Sequence, residues 1–332
     1  MQKAREILAL RHTDVAFLFC FAHAVNNLVK QVLKTTFPNV AKDASTTVNI
    51  MEASSAKWRY LATETMKDEY GKSLAFITMC DTRWNSMAAL LRCFASEAPL
   101  CASAFSTQGC RSFQLLGKHK FWARLKDAEN IIRPLADVSY RLQRDENTMG
   151  DVVISLGQIH HGFKASKRYR KTLVPCVEKR WKDCEQPLFL LAYALYPKNV
   201  EHVRALIAHG ILTKSILAQF AIYSYRRFVS RVAYEAIRHE FELWLDAHIR
   251  RISYNEPLAS FWNHVRGERV ASKLPKLALA ILSIAVITST VRAPVQRPRA
   301  ITLVCLSFAK LRSFGVSFVL AVVPQRQTGE SK

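Results

Sequence analysis

Cys20 and His23 stand three positions apart in Cys20-Phe-Ala-His23, a spacing at which a thiol and an imidazole can converge on a metal ion. Structural zinc takes four N/S ligands, and no second Cys/His pair offers a suitable spacing. A buried cysteine beside a hydrogen-bonded histidine is the plainer reading. Farther on, Cys80-Asp-Thr-Arg-Trp-Asn-Ser86 sets Arg83 beside Trp84. An indole face can stack on any base, worth ~1–3 kcal/mol per base, while a neighbouring guanidinium can hold phosphate. Trp84 could equally anchor a core among Met79, Met87 and Leu90. Between Lys164 and Lys182 lie eight basic residues and one acid, Glu178, with Lys167, Arg168, Arg170 and Lys171 clustered most tightly. Such a run is either a solvated, flexible loop or a track for phosphates. Asp14 and Asp81 read as a turn residue and as a helix cap or partner for Arg83.

Elements that could position these groups must be mostly helical. Only 10 Gly and 11 Pro occur in 332 residues, about half the usual combined share of roughly 12%, so turns are few. Half of the residues are hydrophobic, enough for one or two cores, and a formal charge of +22 points to a polyanionic partner. Eight cysteines contain no C-x-x-C pair, which suits reduced thiols of a nuclear or cytoplasmic protein. The longest charge-free apolar stretch, Leu277 to Thr290, has 14 residues against the ~20 needed to span a bilayer. No signal-peptide pattern opens the sequence, and no membrane association is expected.

Along the chain, residues 2–10 read as a helix. Val15 to Phe21, apolar on both faces, reads as a buried strand, and a helix follows from His23 to about Lys34 with a break at Pro38. Phe121, Leu125, Ala128, Ile132, Leu135 and Leu142 form a helical stripe with Pro134 as a kink. Thr148 and Asp151 resemble a capping box before Val152, Leu156, Ile159 and Phe163. Glu185 to Leu195 reads as a buried helix stopped at Pro197. Leu274, Leu277, Ala278, Ile281, Leu282 and Ala285 make one stripe, and Leu279, Ala280 and Ile284 make the opposite face apolar. A helix apolar all round must be buried in a core or against a partner.

Three segments in order resemble the transposases of the hAT superfamily: Phe19-Cys-Phe-Ala-His-Ala-Val-Asn-Asn-Leu-Val-Lys30, Cys80 to Ser86, and Pro257-Leu-Ala-Ser-Phe-Trp262 followed by Lys273 to Ile284. The resemblance covers about residues 1–288. It implies a mainly α chain, a helical insertion domain with a remnant of an RNase H-like α/β domain. Residues 1–35 would be that remnant, 36–252 the insertion, 253–290 part of the dimerisation segment and 291–332 an unmatched tail. It further implies DNA contact at Cys20, His23, Arg83 and Trp84, beside the basic run. Leu258, Trp262, Leu274, Leu277, Ala278, Ile281, Leu282 and Ile284 would serve self-association or pairing with a full-length hAT transposase.

Intact members cut and join DNA with two Asp and one Glu holding divalent metal, which stabilises the attacking and leaving oxygens at phosphorus. Both Asp positions would lie upstream of Met1, and the Glu expected just after Ile284 has no counterpart. No acid occurs between Glu268 and Glu330. The reading therefore assigns no catalytic residue, metal ligand or cofactor here: a truncated, catalytically inactive derivative that retains DNA binding and dimerisation. An active transposase and a relic reading frame without selected activity are the alternatives. Codons compatible with Val291 to Arg297 include GTG CGA GCG CCT GTT CAG CGA; read one base later they give Cys-Glu-Arg-Leu-Phe-Ser, similar to the family's Glu segment. A frameshift or misjoined exon would account for the tail, whose Val316–Val323 stretch is then aggregation-prone.

Overall fold

The computed structural model describes residues 20–53, 118–142, 147–182, 186–232, 234–246 and 256–284, with isolated positions between them. Among these the chain is mainly helical, without a strand. The expected helix at 2–10, Arg83 and Trp84, Asp14 and Asp81, and the tail 291–332 lie outside the described residues.

Helix α1 runs Phe21–Thr36 and α2 runs Pro38–Ala53. Apolar side chains recur in α1 at three- and four-residue steps, and Ala22, Val25, Leu28, Val29, Val32 and Leu33 are all buried. Phe21 was expected to end a strand and instead opens this helix. Its burial fits either element, and the turn-by-turn stripe that follows it decides for the helix. No strand of an RNase H-like remnant occurs among the described residues, and Val15, Ala16, Phe17 and Phe19 of the expected strand lie outside them. Pro38 stands at the first position of α2, where its missing N–H costs no bond and its fixed φ suits a helix start. Helix α3, His119–Arg141, continues through Pro134, which sits on the exposed side. Phe121, Leu125, Ala128, Ile132 and Leu135 are buried along it, as their spacing requires.

Helix α4 spans Met149–Ala165 and α5 spans Arg170–Lys182. Asp151 does cap α4, though differently from a reciprocal box: its Oδ2 receives both the Thr148 N–H and the Thr148 hydroxyl, each at 2.8 Å. Gly150 allows α4 to approach the next helix closely, since a Cβ there would stand 3.2 Å from the Tyr193 Cα. That helix, α6 (Gln186–Leu195), is buried from Leu188 to Leu195 and is followed by a 3₁₀ turn at Pro197–Asn199. Then come α7 (Val200–Ala208), α8 (Lys214–Phe228), α9 (Ala236–Asp246), α10 (Leu258–Glu268) and α11 (Leu274–Leu282). Thr213 caps α8 by accepting the Ile216 N–H at 3.2 Å.

Two compact units divide the chain. One gathers residues 1–21, 142–162 and 178–332; the other gathers 22–141 and 163–177. In the first, α6 is the hub against which α7, α8 and α11 pack, while α8 packs on α9 and α10 on α11. Its core holds an aromatic cluster in which Trp244 and Trp262 stand 4.6 Å apart and Phe261 lies 5.6 Å from Trp262. The Trp244 indole N–H donates to the Ala194 carbonyl at 3.0 Å. Nearby on α6, the buried Tyr193 hydroxyl hydrogen-bonds the His202 Nδ1. Burial raises the Tyr193 pKa and lowers that of His202, holding both neutral. In the second unit, α2 packs on α3, and Phe37, Val40 and Ala44 are buried.

Candidate nucleic-acid interface

The basic run is not a loose loop. Its residues 164–182 form the end of α4, a short turn at 166–169 and all of α5. Within the second unit four contacts fix the turn. The Tyr169 ring packs on Phe37 at 4.9 Å between centroids, and the Thr36 hydroxyl donates to Thr172 Oγ1 at 3.1 Å. Asp127, from α3, receives the Tyr169 hydroxyl at 2.7 Å and Arg168 Nη1 at 3.1 Å on the same oxygen, Oδ2. Arg168 also lies over the Tyr169 ring, 5.1 Å from its centroid. Burial, and then the bond to Asp127, raise the Tyr169 pKa, so the phenol stays a donor in neutral solution.

Lys167, Arg168, Arg170 and Lys171 are all exposed on this mount. Among the described residues Lys167, Arg170 and Lys171 make no ion pair, whereas Arg168 is engaged by Asp127. Three free cations within five positions on a fixed turn can meet successive phosphates by Coulomb attraction and counterion release. Sequence reasoning found these cations and missed Asp127, which lies 41 residues before Arg168 inside an ordinary amphipathic helix. No local spacing signals that pairing.

Of the other expected contacts, His23 is exposed in the first turn of α1 and Cys20 is half-buried just ahead of it. No group of three or more His, Cys, Asp or Glu that could hold a metal ion occurs among the described residues. Within the first unit the Phe21 N–H donates to the Val286 carbonyl at 3.2 Å.

Leu274, Leu277, Ala278, Ile281, Leu282 and Ile284 are buried inside the chain itself, with Leu277 and Ile281 at 0% exposure. Their cover comes from α6, α8, α9 and α10. Trp262 is also fully buried, and Leu258 is half-buried at the start of α10. Burial of this stripe is thus met within one copy, while Leu279 and Ala280 on the opposite face are half-buried.

The turn delivering α11 to this core depends on Glu240 of α9, another residue that no motif indicated. One Glu240 oxygen, Oε2, receives the Ser272 hydroxyl and the Lys273 and Leu274 N–H groups at 2.9, 3.0 and 2.9 Å. The other, Oε1, receives the Tyr234 hydroxyl at 2.6 Å. That bond, followed by burial, pushes the Tyr234 pKa up to about 12.

Neither a protein-family model nor a curated protein matches the chain. No helix among the described residues is long and apolar enough to cross a membrane.

Proposed function

We propose that this chain is a hAT-transposase-derived protein without catalytic activity, one that binds DNA through the basic turn between α4 and α5 and pairs with itself or with a full-length relative. The observation carrying DNA binding is the fixed turn with Lys167, Arg170 and Lys171 exposed and unpaired among the described residues. Family origin rests on the three ordered segments. Loss of catalysis rests on the Glu expected just after Ile284, which has no counterpart between Glu268 and Glu330, since positioning cations do not replace a metal ligand. Any pairing uses surface other than the buried faces of Leu277 and Ile281.

Fluorescence anisotropy of a labelled duplex tests the binding reading. The chain should bind at low salt and weaken steeply as salt rises, with Lys167→Ala plus Lys171→Ala reducing the salt slope by nearly 2. Absence of binding at low salt rejects the reading. Incubation with Mg²⁺ or Mn²⁺ and DNA carrying terminal inverted repeats should yield no nicked or joined product; metal-dependent cleavage rejects the loss of catalysis. Sedimentation of the intact chain should show self-association, and a monomer at all concentrations removes self-pairing.

A further inference from the structure

The basic turn contains one charge that is not available. Arg168 Nη1 and the Tyr169 hydroxyl converge on a single oxygen of Asp127, and the Arg168 guanidinium lies over the Tyr169 ring. A guanidinium and a phenolic O–H meeting at one anionic oxygen make the donor set that also suits a phosphate oxygen. Lys167 and Arg170 flank these two residues in sequence, and Arg124 of α3 lies close enough for its charge to act on the Tyr169 phenol. An acid among these cations opposes the polyanion binding that they favour. Its presence is unnecessary for the Thr36–Thr172 bond or the Phe37–Tyr169 packing, which hold the turn independently.

We infer that Asp127 is the resident occupant of a phosphate site formed by Arg168 and Tyr169, and that a phosphodiester backbone displaces it on binding. This rests on the nucleic-acid reading of the turn and adds its missing contact. The Arg168 and Asp127 side chains remain 69% and 36% exposed, so their attraction is the weak one of a solvated pair. A duplex supplies many phosphates at once, and counterion release favours the exchange. Asp127 thereby weakens binding to isolated anions while permitting binding to an extended polyanion. In this role it tunes specificity and need not touch the nucleic acid.

The test uses the full chain, a labelled duplex of arbitrary sequence and inorganic polyphosphate as separate probes, each titrated across salt. Asp127→Asn keeps an oxygen for the Tyr169 hydroxyl and removes the competing charge. It should raise duplex affinity severalfold at low salt, because no carboxylate has to be displaced, and leave the logarithmic salt slope nearly unchanged, since the same phosphate contact forms in both proteins. Arg168→Ala should lower duplex affinity in the native background and lower it further in the Asp127→Asn background, where no carboxylate has to be displaced, a coupling visible in the double-mutant cycle. Asp127→Ser provides the same charge removal should the asparagine variant fold poorly. Increased affinity for polyphosphate without duplex binding would reject the nucleic-acid reading and keep the exchange. Unchanged or lowered affinity for both probes on Asp127→Asn, or no effect of Arg168→Ala in either background, would overturn the inference.

Discussion

The turns at 166–169 and 269–273 each join two helices, and each is braced by a carboxylate from a third helix that also receives a tyrosine hydroxyl. Asp127 and Glu240 nevertheless hold different things. Glu240 binds two backbone N–H groups at the start of α11 and the hydroxyl of Ser272. Asp127 binds two side chains, Arg168 and Tyr169, and no main-chain donor among its described bonds. A carboxylate on backbone donors satisfies groups that the helix start leaves open and fixes where that helix begins. One on exposed side chains can yield them to another anion without unravelling a helix. The same local design therefore serves architecture in one unit and an exchangeable charge in the other.

The most drastic test strikes the stripe that the Glu240 turn delivers. Leu277→Asp places a carboxylate at a fully buried position, and a loss of about 3–5 kcal/mol is expected, seen as failure of cooperative thermal unfolding. Retention of native stability would mean that α11 is not core. Next comes the direct contrast. Glu240→Ala should cost about 2 kcal/mol through unmet N–H groups, and Asp127→Ala no more than about 1 kcal/mol. Equal losses in denaturant midpoints would erase the distinction between the two carboxylates.

Smaller effects should appear in alkaline titration. Tyr234 has a raised folded pKa of about 12, so its stabilising contribution is complete below its ordinary value near 10 and is lost as pH rises through about 12. Phenolate absorbance follows this directly. Glu240→Gln should shift the Tyr234 titration downward clearly, because the hydrogen bond is its leading cause. Asp127→Asn should move Tyr169 less, because burial leads there. A larger shift at Tyr169 would reverse that ordering.

Much of the helical frame could be read from spacing alone. The α3 stripe from Phe121 to Leu135, the Thr148–Asp151 cap and the all-round apolarity of α11 each follow from the 3.6-residue period or from cap chemistry. Phe21 marks where that logic ran out, because a short aromatic run buries equally well in a strand or a helix. The basic residues of the candidate site were visible as charge, but their mount was not. Asp127 with Arg168, and Glu240 with Ser272, are paired across 41 and 32 positions by tertiary packing, which leaves no periodic trace. Burial of Leu277 and Ile281 was legible as a need, while the identity of the cover was not.

The closeness of Trp244 and Trp262 has an optical consequence. Two indoles 4.6 Å apart and inclined by 42° couple their electronic transitions, which gives a paired positive and negative band in circular dichroism that neither chromophore produces alone. Both belong to the unit that contains α6 and α11, whereas Trp122 of α3 belongs to the other. The chain thus contains an intrinsic reporter whose signal vanishes when that aromatic cluster separates and is insensitive to events at the basic turn that leave it intact.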